Sequence, residues 1–234
     1  MQNWVLSELD SGERVISERL EHVRSAAVGF WIGAGSRDEE TGEAGVTHFI
    51  EHLLFKGTDR YSAVEIAEIF DGLGGELNAA TSREHTLVYA RIPDHHLETA
   101  VDVMSDMVFA PAFAELDSER EVVLEEIAMY DDAPQELVHD LIADAVFADH
   151  PLGRPVIGTA DVISSIPRDA IARYHDTMYI PGNIVVAAAG NIEHDRVVEH
   201  VTRGLERRTG TGASPPNVRP PLVVPSAPRL RFQQ

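Results

Sequence analysis

The sequence predicts an α+β fold in which a layered antiparallel or mixed sheet packs against helices. Short β-rich segments fill much of the first 92 residues and return near residue 183, whereas segments with helical periodicity dominate between them. Strands and helices do not alternate strictly, which disfavours a purely parallel sheet. Hydrophobic residues make up 44% of the 234 positions, enough for a sizeable core.

The first half of the chain begins with strands. Residues 4–9 and 13–18 alternate in polarity and flank Asp10-Ser11-Gly12, a pattern that predicts a hairpin. Residues 23–32 form a β-rich apolar run. Residues 43–55 have the apolar spacing of a helix.

A second helix is predicted to begin at Ser62, because Ser62 and Glu65 have the spacing of a capping box. It should end at the glycines around Gly74. Residues 76–80 and 85–92 are then predicted to be strands.

The second half is predicted to be mainly helical, with Pro111 ending the first of its helices and Pro167 in the first turn of a later one. The predicted helices are 94–109, 114–130, 134–147, 167–178 and 195–205, and residues 183–189 are a predicted strand.

The charge and the absence of cysteine exclude several functions. Asp and Glu number 39 against 19 Lys and Arg, a formal net charge of −20, so nucleic acid is not an expected partner. The chain has no cysteine, which leaves histidine and carboxylate as possible metal ligands. No signal-peptide pattern or membrane-length apolar run is seen, and we expect a cytoplasmic protein without a membrane partner.

The composition changes near residue 209. Six of the 13 prolines lie between 215 and 228, which is typical of an extended linker. We therefore divide the chain into a domain at 1–208 and a Pro-rich linker or tail at 209–234 that leads to an absent second half.

The segment His48-Phe-Ile-Glu-His52 is the strongest functional signal. On a helix, His48 and His52 lie one turn apart on the same face and could share one ion. Glu51 projects near the same place and could take a proton from a metal-activated water. This His-x-x-Glu-His order is known as a peptidase signature.

A catalytic zinc site needs a third protein ligand. The predicted helix 114–130 is the best source, because it carries five glutamates: Glu115, Glu119, Glu121, Glu125 and Glu126. Glu119 and Glu126 are two helical turns apart and share a face. Glu121 and Glu125 are expected to be solvated, but periodicity alone does not choose the ligand.

Several motifs, taken in order, resemble the insulinase/pitrilysin family of zinc metallopeptidases, especially its mitochondrial-processing-peptidase-like branch, over about residues 1 to 205. The motifs are Thr47-His-Phe-Ile-Glu-His-Leu-Leu-Phe-Lys-Gly-Thr58, Gly74-Gly-Glu-Leu-Asn-Ala79 with Thr81-Ser-Arg-Glu-His-Thr86, Glu119-Arg-Glu-Val-Val-Leu-Glu-Glu-Ile127, Pro151-Leu-Gly-Arg-Pro-Val-Ile-Gly-Thr159 and Tyr179-Ile-Pro-Gly-Asn183.

The resemblance implies a role for each matching residue. His48, His52 and Glu126 would bind one zinc ion per chain, and Glu51 would be the general base. Glu119 would contact a ligand and orient it.

The resemblance also implies a substrate site. Asn78 and Ala79 would lie on an edge strand to which an extended peptide adds by main-chain pairing. His85 matches the same motif, and we interpret it as structural.

The resemblance implies a zinc-dependent endopeptidase domain acting on peptides or unfolded protein segments. Members of this branch carry two homologous halves, and the resemblance stops after the first. The chain is therefore expected to need a second half or a partner subunit, possibly a second copy of itself.

Two other functions share part of this pattern. A non-catalytic subunit that binds peptides or a partner is possible, although all the motif residues are present. An S-ribosylhomocysteine lyase also uses a His-x-x-Glu-His element, but it relies on cysteine and is excluded.

Overall fold

The computed structural model describes residues 3–206 together with Arg208, Arg219 and Pro221. It confirms the predicted α+β class: one six-stranded mixed sheet is packed against helices. The strands are β1 (Trp4–Glu8), β2 (Arg14–Arg19), β3 (Ser25–Ile32), β4 (Glu76–Thr81), β5 (Thr86–Pro93) and β6 (Ile184–Gly190).

The strand order is β1-β2-β6-β3-β5-β4, so β1 and β4 are the two edges of the sheet. Only the β2–β6 pair is parallel. The remaining neighbours are antiparallel, with Val28 of β3 opposite Ala90 of β5 and Ala188 of β6.

The helices are α1 (Val46–Leu54), α2 (Ala63–Leu73), α3 (Leu97–Phe109), α4 (Leu116–Asp131), α5 (Pro134–Phe147), α6 (Ala160–Ser165), α7 (Arg168–Met178) and α8 (His194–Leu205). No helix within residues 3–206 is both long and apolar enough to cross a membrane.

The core lies between the helices and one face of the sheet. Alternate strand residues such as Phe30, Val88 and Val186 point into it and are buried. They share this core with Phe49 of α1 and Met104 of α3. This inner face is therefore the one that carries α1.

The outer face of the sheet is apolar and open, and the hollow on it has a volume of about 550 Å³. Every residue that lines it belongs to a strand; they include Trp4, Ile16, Ala27, Gly29, Trp31, Leu87, Tyr89, Ala187 and Ala189. Trp4 and Trp31 are 44% and 39% exposed. An apolar surface of this kind commonly marks an interaction site.

Helix α1 starts later than the sequence predicts, because a 3-10 turn at Thr41–Glu43 precedes it. Gly45 caps α1 with φ of 93°, a conformation that favours glycine. The carboxylate of Glu39 accepts hydrogen bonds from the backbone N–H groups of Gly45 and Thr47 at 2.8 and 2.9 Å. These bonds satisfy N–H groups that a helix start would otherwise leave unpaired.

Most other predicted elements are present, with boundaries shifted by a few residues. Ser62 accepts from the N–H of Glu65 and Glu65 returns the bond, as the capping-box prediction required. Pro167 is the N-cap of α7 and not a residue of its first turn.

One helix differs from the predictions. The buried row of α4 is Glu119, Val123 and Ile127, and the neighbouring Val122 is 48% exposed. Helix α6 was not predicted, since six residues are too few for a clear helical period.

The predicted linker at 209–234 lies outside the described residues, except for Arg219 and Pro221. Arg219 forms a bidentate ion pair with the buried carboxylate of Asp38, at 3.0 and 2.8 Å.

Candidate metal centre

Helix α1 presents His48 and His52 one turn apart, with ring centroids 4.7 Å apart. Helix α4 runs beside α1 and brings a carboxylate to the same point. Oε2 of Glu126 lies 3.8 Å from Nε2 of His48 and 3.4 Å from Nε2 of His52. The three predicted ligands therefore converge, although they come from helices about 75 residues apart in the chain.

The donor set suits zinc. Two ligand atoms about 2.1 Å from a tetrahedral zinc ion should be separated by about 3.4 Å, close to the distances from Glu126 to both histidines. One ligand atom from each of the three residues fits within a mutual separation of 4.8 Å. No other set of three His, Cys, Asp or Glu side chains within the described residues does so.

Burial keeps His48 in the form that binds metal. Desolvation, followed by the nearby His52 ring, lowers the pKa of His48 from 6.5 to about 4. At neutral pH the ring is therefore uncharged, as metal coordination requires.

Glu119 lies behind His52. Its Oε1 is 3.3 Å from Nδ1 of His52, the ring nitrogen that faces away from Glu126. Its other oxygen, Oε2, is 2.5 Å from Nζ of Lys56. The carboxylate is only 5% exposed and is thus held between an imidazole and an ammonium group.

Glu51 is held by the end of β4, because the hydroxyl of Thr81 donates a hydrogen bond to its Oε2. Burial is the main cause that raises the pKa of Glu51 above its ordinary value, and the Thr81 bond opposes the shift. A carboxylate with a raised pKa is a stronger base. This arrangement can therefore accept a proton beside the histidine pair.

Asn78 and Ala79 lie on β4, the edge strand whose end contacts Glu51. The backbone N–H of Ala79 donates to the side-chain oxygen of Asn78 at 2.8 Å. Both residues are on the same strand as Thr81. His85 lies in the β4–β5 turn, where its Nδ1 is 3.1 Å from the Ser82 hydroxyl.

Three residues were not predicted: Lys56 and Thr81, which the fold brings to the site, and Glu39, which binds the start of α1. Lys56 lies four residues after His52, and Thr81 lies in a motif that the sequence analysis quotes. Their positions in the sequence could therefore have indicated both residues. Glu39 could not have been found, because only the folded loop turns its carboxylate onto the start of α1.

The His-x-x-Glu-His order carried by α1 is the signature of the inverzincin class of metallopeptidases. The sequence profile of the insulinase family, peptidase family M16, matches residues 14–160, and the chain belongs to this family. A second profile, described as the peptidase M16 inactive domain, matches residues 165–233. All the candidate site residues lie within the first match.

The curated relatives that match this chain are described as zinc proteases. An uncharacterized zinc protease of Mycobacterium leprae is 48% identical over 214 residues, covering 89% of this chain and 48% of the relative. An uncharacterized zinc protease of Streptomyces coelicolor is 45% identical over 223 residues, covering 94% of this chain and 47% of the relative. The chain thus spans about half the length of the curated relatives it matches.

Among solved structures, a protease from Helicobacter pylori superposes with a TM-score of 0.88 at 26% identity. The superposition covers 95% of this chain and 54% of the other. The similarity therefore extends over nearly the whole of this chain and about half of the larger molecule.

Proposed function

We propose that the chain is the zinc-binding half of an endopeptidase that hydrolyses peptides or extended protein segments. The observation that carries this proposal is the convergence of His48, His52 and Glu126, with Glu51 fixed beside them. His48, His52 and Glu126 would hold one zinc ion per chain. When bound, zinc supplies Lewis-acid chemistry, acidifying water and polarising a carbonyl group.

The chain's own residues supply the remaining steps. Glu51 takes the proton of the attacking water and passes it to the amine that leaves. The hydrogen bond from Thr81 keeps the Glu51 carboxylate oriented for both transfers. Glu119 orients His52 through the ring nitrogen that does not face the metal position.

The substrate would add to β4 as an extended strand. β4 is an edge of the sheet and its end lies against Glu51. Pairing through the main chain of Asn78 and Ala79 would bring the scissile bond near the metal with little demand on side-chain sequence. The Asn78 oxygen that accepts from Ala79 would be displaced when the substrate pairs.

Full activity would need a second half. The relatives are about twice as long, and the outer face of this sheet is apolar and open. Part of a second half could cover this face, and another part that closes over the site would exclude water and strengthen the electrostatics of the reaction. The completing partner is a homologous half, with a second copy of this chain as the alternative.

The test is to load the purified chain with zinc and offer mixed oligopeptides, alone and with the remaining half of the Streptomyces coelicolor relative. Cleavage in the completed form supports the proposal. Zinc binding without cleavage in either form contradicts catalysis and favours a non-catalytic subunit.

Replacement of the proposed base separates chemistry from metal binding. Glu51→Gln keeps the shape of the side chain but removes its basicity, so zinc should stay bound and turnover should fall by at least about a hundredfold. Full activity of Glu51→Gln would show that the base is another group.

A further inference from the structure

We propose that Lys56 is a positioning residue of the metal centre, holding Glu119 against His52 so that the other ring nitrogen of His52 faces the metal. The proposal rests on the proposed function only in assuming that His52 is a metal ligand. Neither the motif nor the family resemblance assigns a role to this lysine.

The contacts form one continuous line from the ammonium group to the metal position. Nζ of Lys56 lies 2.5 Å from Oε2 of Glu119, and Oε1 of Glu119 lies 3.3 Å from Nδ1 of His52. The opposite nitrogen, Nε2 of His52, is 3.4 Å from Oε2 of Glu126. Lys56 and His52 thus occupy the two oxygens of a single carboxylate.

The burial of Glu119 makes the lysine necessary. Its side chain is 5% exposed, and a buried carboxylate without a cation is strongly unfavourable. Lys56 is 29% exposed, so it can neutralise the carboxylate while its own charge stays partly hydrated. With Oε2 bound to Lys56, Oε1 is left to accept from the N–H of His52.

The end of α1 places Lys56 where this contact can form. The residue follows the C-cap Phe55, and its backbone N–H donates to the carbonyl of Leu53 at 3.1 Å. It lies just past the end of α1, and its side chain and that of His52 both reach Glu119 of α4. The C-terminal end of a helix also favours a positive charge.

Zinc affinity tests the proposal directly. Loss of an outer partner of a metal ligand commonly weakens metal binding by about 10- to 100-fold. Lys56→Met should weaken zinc binding about tenfold in competition with a chelator, and Lys56→Arg should recover part of the loss. Arg196→Met, which removes an exposed cation of α8, is the matched control and should bind zinc normally.

A double-mutant cycle shows whether Lys56 acts through Glu119. In a Glu119→Gln background, Lys56→Met should cause little further loss of zinc affinity. Two losses that simply add would contradict the proposal, as would a Lys56→Met variant with wild-type affinity. Cobalt(II) spectra of the same variants report the ligand geometry, which should change in Lys56→Met.

A measurement on the unsubstituted lysine covers the case in which Lys56→Met fails to fold. Lys56 is the only lysine of the chain, so isotope-labelled lysine gives one side-chain NMR signal. Zinc should shift this signal in the wild-type chain and leave it nearly unchanged in Glu119→Gln. A shift of equal size in both would overturn the proposed route.

The possible failures are distinguishable. A wild-type chain that binds no zinc overturns both proposals. Zinc binding and peptide cleavage with no effect of Lys56→Met overturns only the role of Lys56. If Lys56→Met weakens zinc binding as expected but the chain with its second half cleaves no peptide, only the peptidase proposal is overturned.

Discussion

At the metal centre, Glu119 and Glu126 differ in the atoms that their carboxylates contact. Glu126 is the carboxylate near both histidines, whereas Glu119, two turns earlier on α4, reaches only the rear nitrogen of His52. The two residues share a helix face but differ in exposure, with 46% for Glu126 and 5% for Glu119. The exposure of Glu126 suits a metal ligand that is open to solvent, and the burial of Glu119 suits a residue that fixes the orientation of the His52 ring.

Thr81 offers a test of how strongly the orientation of Glu51 matters. Thr81→Val keeps the size of the side chain but removes the hydroxyl that donates to Glu51. We expect kcat to fall about tenfold in the completed enzyme, the equivalent of about 1.4 kcal/mol, with zinc affinity unchanged. Steady-state kinetics and chelator competition measure the two quantities.

Thr177→Val is the control for Thr81→Val, because it removes a hydroxyl bonded only to the backbone of α7. It should leave kcat unchanged. An unaltered kcat in Thr81→Val would mean that Glu51 does not depend on this bond.

The sequence predicts which side chains converge better than it predicts the groups that those side chains contact. Spacing along one helix was enough to pair His48 with His52, since both lie within five residues. Choosing Glu126 among five glutamates needed the family resemblance, because periodicity leaves more than one face possible. The pairing of Lys56 with Glu119 joins residues 63 positions apart, and such a contact is fixed only when α1 and α4 pack.

At the scale of elements, the start of α1 carries an unusual carboxylate. Burial raises the pKa of Glu39 from 4.5 to about 7, although the N–H groups of Gly45 and Thr47 and the charge of Arg154 oppose the shift. The raised pKa means that folding favours the protonated form. This contribution to stability is complete below about pH 4.5 and is lost as the pH rises through about 7.

We therefore expect the Glu39 contribution to the free energy of unfolding of the metal-free chain to fall by on the order of 3 kcal/mol between pH 5 and 8, against the opposite slope that the lowered pKa of His48 contributes up to about pH 6.5. Glu39→Gln cannot ionise and should flatten that dependence, while costing some stability at all pH values through an altered hydrogen bond. Urea unfolding at several pH values measures both effects.

Glu125→Gln, on the exposed side of α4, is the control and should keep the wild-type pH dependence of the free energy of unfolding. If Glu39→Gln also keeps the wild-type pH dependence, Glu39 is not the group responsible.

The edge strand β4 allows a second test at this scale. Ala79→Pro removes a backbone N–H that bonds within the strand to Asn78, and proline is tolerated at sheet edges. If this N–H pairs with substrate, KM should rise about tenfold and zinc affinity should not change. Ala79→Ser keeps the N–H and serves as the control. A normal KM in Ala79→Pro would remove Ala79 from the substrate site.

Element boundaries show where local sequence stops being informative. The capping box at Ser62 fixed the start of α2, because both bonding partners lie within four residues. The start of α1 depends on Glu39, which lies in the loop between β3 and α1. The apolar periodicity of the helix contains no sign of this contact. The apolar run of β3 could not reveal an open face, since inward Phe30 and outward Trp31 look alike in sequence.

At the scale of the whole molecule, the apolar outer face is the feature left unexplained by this chain alone. Its centre is Ala187, which lies opposite Ile16 of β2 and Gly29 of β3. Small residues there leave a shallow hollow between aromatic side chains such as Trp31 and Tyr89. An apolar element of a second half could enter this hollow and bury its surface.

Ala187→Arg tests this interface. Because the residue points away from the core, we expect the chain to fold and to bind zinc normally. The added charge would have to be desolvated in the complex, so association with the remaining half of the Streptomyces coelicolor relative should weaken more than tenfold. Sedimentation measures association, and peptide cleavage should fall in parallel.

Thr202→Arg, on the exposed side of α8, adds the same charge elsewhere and should associate normally. If Ala187→Arg associates as tightly as the wild type, the second half binds another surface; if the chain alone forms dimers that Ala187→Arg disrupts, the outer face joins two copies of this chain instead.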